Sequence, residues 1–206
     1  MARSGQRKSN QPQLGFLSVV EHAQHGYFGG LLLLDQRGRP LEFHCTTPVR
    51  PTRAQEILYG ISLVSFMFGE QIGATLLAKA KGTPDVVLVD DTRTQAVEEH
   101  IDVPVVLVKL EEQDNSSESN ILDLDYANGG KREGVEALAT RGLPRSGDVS
   151  HIIHGRHRLQ LGESSPREQI SRLAKTFSAV GESFDLCEPF ERIHLAIDEA
   201  QRGTGH

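Results

Sequence analysis

The chain has no tryptophan, two cysteines among 206 residues, and aromatic side chains at only 5% of positions. A broad stacking platform for bases or sugars is hard to assemble from so few rings. Cys45 and Cys187 are far apart and neither belongs to a CxxC pair. Both are expected to be reduced, small core residues without a metal or redox role. Long apolar runs are also missing: the longest, Leu31 to Leu34, is far short of the roughly 20 residues a membrane helix needs. Residues 1–13 carry basic groups but no apolar stretch, so they are no secretory signal and are expected to form a disordered tail. These absences predict a soluble, cytoplasmic protein with no membrane partner. Positive charge is not in excess either. With 22 Lys and Arg against 28 Asp and Glu the net charge is −6, which excludes a whole-surface field for nucleic acid. The phosphate-binding GxxxxGK[ST], the dinucleotide GxGxxG and the GxSxG nucleophile elbow do not occur.

What the sequence does have is pattern. "GFLSVVEH", "YFGGLLLLD" and "PLEFHCT" are separated by the turns "AQHG" and "QRGR" and predict a three-stranded antiparallel meander. The four leucines imply a strand buried on both faces. In the third strand Leu41, Phe43 and Cys45 share one face, and Glu42, His44 and Thr46 the other. A helix is expected from Thr52, its N-cap, to Gly60. A second follows, with Phe68, Ile72, Leu76 and Ala80 on a stripe at steps of four, Gly82 just past its end and Pro84 beyond. "DVVLVDD", a short helix opened by Thr92, and "VPVVLVKL" then make a strand–helix–strand unit whose strands run parallel.

Residues 112–120 are polar and acidic and predict a flexible loop, with "ILDLDY" after it as a short edge strand. "HIIHGRH" places His151, His154 and His157 at steps of three. That spacing alternates faces on a strand, so a polar loop is expected there and no metal site. Ser165-Pro166-Arg167-Glu168 is a capping box, and two amphipathic helices follow it as a cover over 165–201. The fold class is therefore α/β, a single domain over 14–206: a mixed sheet made of the meander and strand–helix–strand units, with a C-terminal helix pair.

Candidate chemistry gathers on acids. Asp90 and Asp91 end a parallel strand, where open α/β sheets place their ligands. Glu70 opens the preceding helix and Glu21 ends the first strand. If Glu21, Glu70, Asp90 and Asp91 converged, they would form a hard-oxygen metal site suited to Mg²⁺. The competing expectation is that Asp91 caps the next helix and Glu70 is a solvated first-turn acid.

Three meandering strands followed by helix, strand, helix and strand is the order of ribonuclease H-like domains. Within that group, residues 15–109 resemble endonuclease V. The resemblance rests on Tyr59, Gly60, Phe68, Glu70, Pro84, Asp85, Asp90 and Lys109. It implies a Mg²⁺-dependent nuclease with Glu70, Asp90 and Lys109 catalytic and a nucleic-acid partner. The departures fall on the same site. The family's first-strand aspartate is absent, with only Glu21 nearby. The tyrosine segment lacks its proline, Asp91 stands where glycine is expected, and the histidine-proline-arginine segment is missing. The leading expectation is accordingly a non-catalytic binding, scaffold or regulatory module with no cofactor and a protein partner. The alternative is a nuclease of this type that uses Mg²⁺, intact or degenerate.

Overall fold

A computed structural model describes residues 12–110, 121–123, 151–162 and 167–203. The predicted loop at 112–120 and the box at 165–166 lie outside the described residues, as does most of the predicted tail. β1 (Gln13–His22), β2 (Gly26–Asp35) and β3 (Pro40–Cys45) form the expected meander. β1 begins inside the stretch expected to be tail: the backbone of Gln13 exchanges hydrogen bonds with Asp85. β4 (Val86–Val89) and β5 (Val105–Leu110) run parallel to β1. β6 (Ile121–Asp123), β7 (His151–His154) and β8 (His157–Leu161) complete one mixed sheet in the order β3-β2-β1-β4-β5-β8-β7-β6. "HIIHGRH" is thus a hairpin and not a loop: Gly155, at φ +57, supplies its turn, and Ile152 and His154 are buried.

The helical run α1 (Arg53–Lys79) starts at Thr52, whose side chain and that of Gln55 form the capping box. Its first α-helical piece stops at Gly60, where φ is +51. The following stretch is not a plain α-helix. Phe66–Ala74 is wound as a π-helix and Thr75–Lys79 returns to α. The step-of-four stripe explains this. In an α-helix four residues overshoot a full turn by about 40°, so a step-of-four stripe drifts one way; the wider π turn undershoots, so mixing the two windings offsets the drift. Phe68, Ile72 and Leu76 are all buried. By length and composition α1 is apolar enough to cross a bilayer, but its second half is packed on the sheet.

The sheet has a layer on each face. α1 and the 3-10 helix Thr92–His100 cover one, over Leu17, Leu31, Leu33, Val87, Val89 and Leu107. α2 (Arg167–Ser178) and α3 (Glu188–Gly203) cover the other, over Phe16, Leu32, Leu88 and Val106. β2 and β4 are buried on both sides, as their unbroken apolar runs require. β3 reverses one expectation. Its Leu41, Phe43 and Cys45 face is the exposed one, so Cys45 is not a core residue. Glu42 turns inward instead, because its carboxylate accepts the Lys81 and Gly82 backbone N–H groups just past α1. Cys187 is half-buried and also free.

Candidate functional site

Parallel pairing of β1 with β4 sets Leu17 opposite Val89. One residue further on, Ser18 and Asp90 meet on the face covered by α3. The Ser18 hydroxyl donates to Asp90 Oδ2 at 2.7 Å and lies 2.9 Å from His194 Nε2, on α3. That same nitrogen is 3.3 Å from Asp90 Oδ2. Ser18 is 1% exposed, and Asp90 Oδ1 is buried without a hydrogen-bond partner among the described residues. This is no nucleophile triad. A triad holds its acid on one imidazole nitrogen and its serine on the other; here one nitrogen serves both, and the hydroxyl is sealed from substrate.

The other predicted acids are sorted to the opposite face, since successive strand residues point opposite ways. Asp91 and Glu21 are both occupied by Arg93. The guanidinium binds Asp91 through two nitrogens, at 3.0 and 2.7 Å, and reaches Glu21 at 3.4 Å. It also stacks over the buried Phe68 ring, 4.6 Å from its centroid. The Arg93 side-chain hydrogen bond holds the Asp91 carboxyl below its usual range, and Asp91 caps the 3-10 helix by accepting the Arg93 N–H. Glu70 is exposed, but it lies inside α1 and does not open a helix, because the two expected helices form one run from Arg53 to Lys79. Lys109 is exposed on β5 and donates to Gln160 at 3.3 Å. Among the described residues, no three of Glu21, Glu70, Asp90 and Asp91 bring ligand atoms close enough to hold one ion. The one group of histidine, cysteine and acid ligands among the described residues that does is His157, Asp185 and Cys187, whose ligand atoms all lie within 4.8 Å of each other.

Two residues of the Asp90 cluster were not singled out from sequence. Ser18 is an ordinary serine in a strand, and only the parallel register shows that it is Asp90's neighbour. His194 lies 176 positions from Ser18 and nothing local marks it. Its hydrogen bond to Asp90 raises its pKa above the usual value of 6.5, against the opposing effect of burial, with Asp198 and Glu191 adding to the rise. A histidine pKa raised by folding stabilises fully below the unfolded value, and that contribution fades as pH rises through the folded one. His194→Gln should thus cost stability in mild acid, with the deficit shrinking above neutrality. Paired thermal melts from about pH 5.5 to 8.5 check this, a span that brackets the histidine transition. His154, whose pKa burial pushes down, is common to both proteins and cancels. A deficit that grows with pH would refute the assignment.

No protein-family model matches the chain, and no curated protein matches it. Among solved structures, human ENDOV aligns over 96% of this chain and 87% of its own, at 17% identity and a TM-score of 0.47. Ciona intestinalis endonuclease V, in complex with a 24mer DNA containing an inosine followed by a ribo-adenosine, aligns over 92% and 88%, at 12% identity and a TM-score of 0.42. Marinitoga piezophila Argonaute with a 5′ OH guide RNA aligns over 83% of this chain and 26% of its own, at 8% identity and a TM-score of 0.33. The chain has a weak structural resemblance to endonuclease V, and the resemblance concerns the fold.

Proposed function

We propose that this chain is a non-catalytic binding or scaffold module on a ribonuclease H-like sheet. The observation that carries this reading is Ser18 beside Asp90. A Mg²⁺ centre at the strand ends needs several carboxylate oxygens turned to one point. Of the acids expected there, Asp90 alone reaches this face, and its Oδ2 is shared by a hydroxyl and an imidazole. Arg93 holds Glu21 and Asp91 on the other face. The residues present do not fit Mg²⁺, and no cleavage step is derived through it. What favours the nuclease alternative is Asp90 Oδ1, which has no hydrogen-bond partner among the described residues and is an oxygen a cation would satisfy.

The first half of α1 supports the binding side. Ile57, Leu58 and Ile61 are exposed, Ile61 fully, beside the partly exposed Tyr59 and Val64. Contiguous exposed apolar groups mark association surfaces. The one cation on this stretch, Arg53, is paired with Glu56 at 2.8 Å. That suits an apolar protein surface better than a polyanion.

The test combines melting and cleavage. With millimolar Mg²⁺ or Mn²⁺, the melting temperature should stay unmoved, because only a ligand that prefers the folded state raises stability. Single- and double-stranded DNA and RNA should stay intact. Metal-dependent cleavage by the wild type that Asp90→Asn abolishes would overturn this reading in favour of the nuclease.

A further inference from the structure

We propose that His157, Asp185 and Cys187 form a binding site for a single zinc-type cation, which ties the β7–β8 hairpin to the loop before α3. This inference is independent of the function proposed above and concerns a different set of side chains.

His157 opens β8 directly after the hairpin turn and its side chain is 1% exposed. Asp185 and Cys187 lie on the segment between α2 and α3. His157 Nε2 is 3.0 Å from Asp185 Oδ1, and the three ligand atoms are mutually within 4.8 Å. Zinc bonds of about 2.0–2.3 Å in tetrahedral geometry put neighbouring ligand atoms about 3.3–3.6 Å apart. No separation in the observed cluster needs to change by more than about 1.5 Å to reach that shape. One nitrogen, one sulfur and one oxygen make a donor set that selects Zn²⁺ over Mg²⁺, which prefers oxygens alone. With three protein ligands, the fourth position falls to water.

The surroundings are prepared for a cation. Arg156 is ion-paired with Asp185 through a side chain that is 67% exposed, so a positive charge already sits at the carboxylate and is free to swing into solvent. As sulfur coordinates, the Cys187 thiol would give up its proton to solvent, since the thiolate is the metal ligand. In the metal-free protein the Asp185 carboxylate accepts from His157 Nε2, which holds the proton there, while the buried Nδ1 has no hydrogen-bond partner among the described residues and can take that proton when a metal binds Nε2. Nε2 can offer a proton to Asp185 or a lone pair to a metal. The competing account is purely structural: Asp185 accepts from His157 and from the Cys187 backbone N–H at 3.0 Å and merely anchors the loop.

The full chain, stripped of metal by a chelator and dialysed, separates the two. Co²⁺ as a spectroscopic probe should bind at one equivalent, with the near-ultraviolet absorption of a thiolate–cobalt bond, and Zn²⁺ should displace it and raise the melting temperature. Cys187→Ser should lose the thiolate band and bind Zn²⁺ at least tenfold more weakly, while Cys45→Ser should keep both. Arg156→Gln should bind Zn²⁺ more tightly, because the competing cation is gone; a loop anchor alone would give a less stable protein and no gain in affinity. Cobalt binding without a thiolate band, or equal Zn²⁺ affinity in wild type and Cys187→Ser, would overturn the site.

Discussion

Leu33→Asp should leave the chain unable to fold. Leu33 is fully buried on β2, on the α1 side of the sheet, and pairs with Gly15 of β1 and Glu42 of β3. Its δ-carbons approach Gly15 and Gly82, so neighbouring glycines leave room for this one side chain. An aspartate here would lie beside the Glu42 carboxylate, which His44 and the two backbone N–H groups past α1 already hold ionised. A buried charge without a partner costs about 3–5 kcal/mol, and the loss of leucine packing adds about 2–5. Together these rival the roughly 5–15 kcal/mol that holds a domain folded. Circular dichroism and gel filtration should show an unfolded or aggregated protein. A soluble variant melting cooperatively within a few degrees of the wild type would remove β2 from the centre of the core.

That leucine run was legible because burial on both faces leaves a mark in one dimension. The meander, the parallel β4–β5 pair and the two C-terminal helices were legible for the same reason: each rests on periodicity and turn residues close in sequence. The alternation in β3 was legible as well, but not which face was inward. Glu42 turns inward because of backbone donors 39 and 40 positions away. Side-chain type alone favours the opposite orientation.

The candidate site was less legible. Asp90 and Asp91 look like one acidic cluster in sequence, yet period-two alternation in a strand separates them. One turns to α3 and the other to Arg93. The sequence holds that information, and proximity along the chain obscures it. Arg93 was hidden differently, since a cation two residues past an aspartate reads as helix-end charge. Only the close approach of β1 and α1 shows that it also occupies Glu21 and covers Phe68. The pairing of the hairpin histidines was not legible, because steps of three along one strand only alternate faces. Gly155 folds the histidines onto two strands, where His154 and His157 are direct partners.

Ser18→Asp should be strongly destabilising at neutral pH, and the metal dependence of that loss tests the non-catalytic reading. The substitution would place a second carboxylate where a hydroxyl now donates to Asp90 at 2.7 Å, at a position 1% exposed. Two carboxylates in contact cannot both ionise cheaply, so one pKa rises. A carboxyl pKa raised by folding makes the folded state bind more protons than the unfolded one, so the loss is greatest above the raised value and eases as pH falls through it. His194, 2.9 Å from the Ser18 oxygen, compensates only in part, because one imidazolium then faces two anions. The expected loss at neutral pH is about 3 kcal/mol, the scale of an uncompensated buried charge. Mg²⁺ or Mn²⁺ should restore part of it, because paired carboxylates now offer the oxygens a divalent ion needs, while the wild type stays indifferent to metal. If the wild type is stabilised by metal and the variant is not, Asp90 already belongs to a working cation site, and the non-catalytic reading fails.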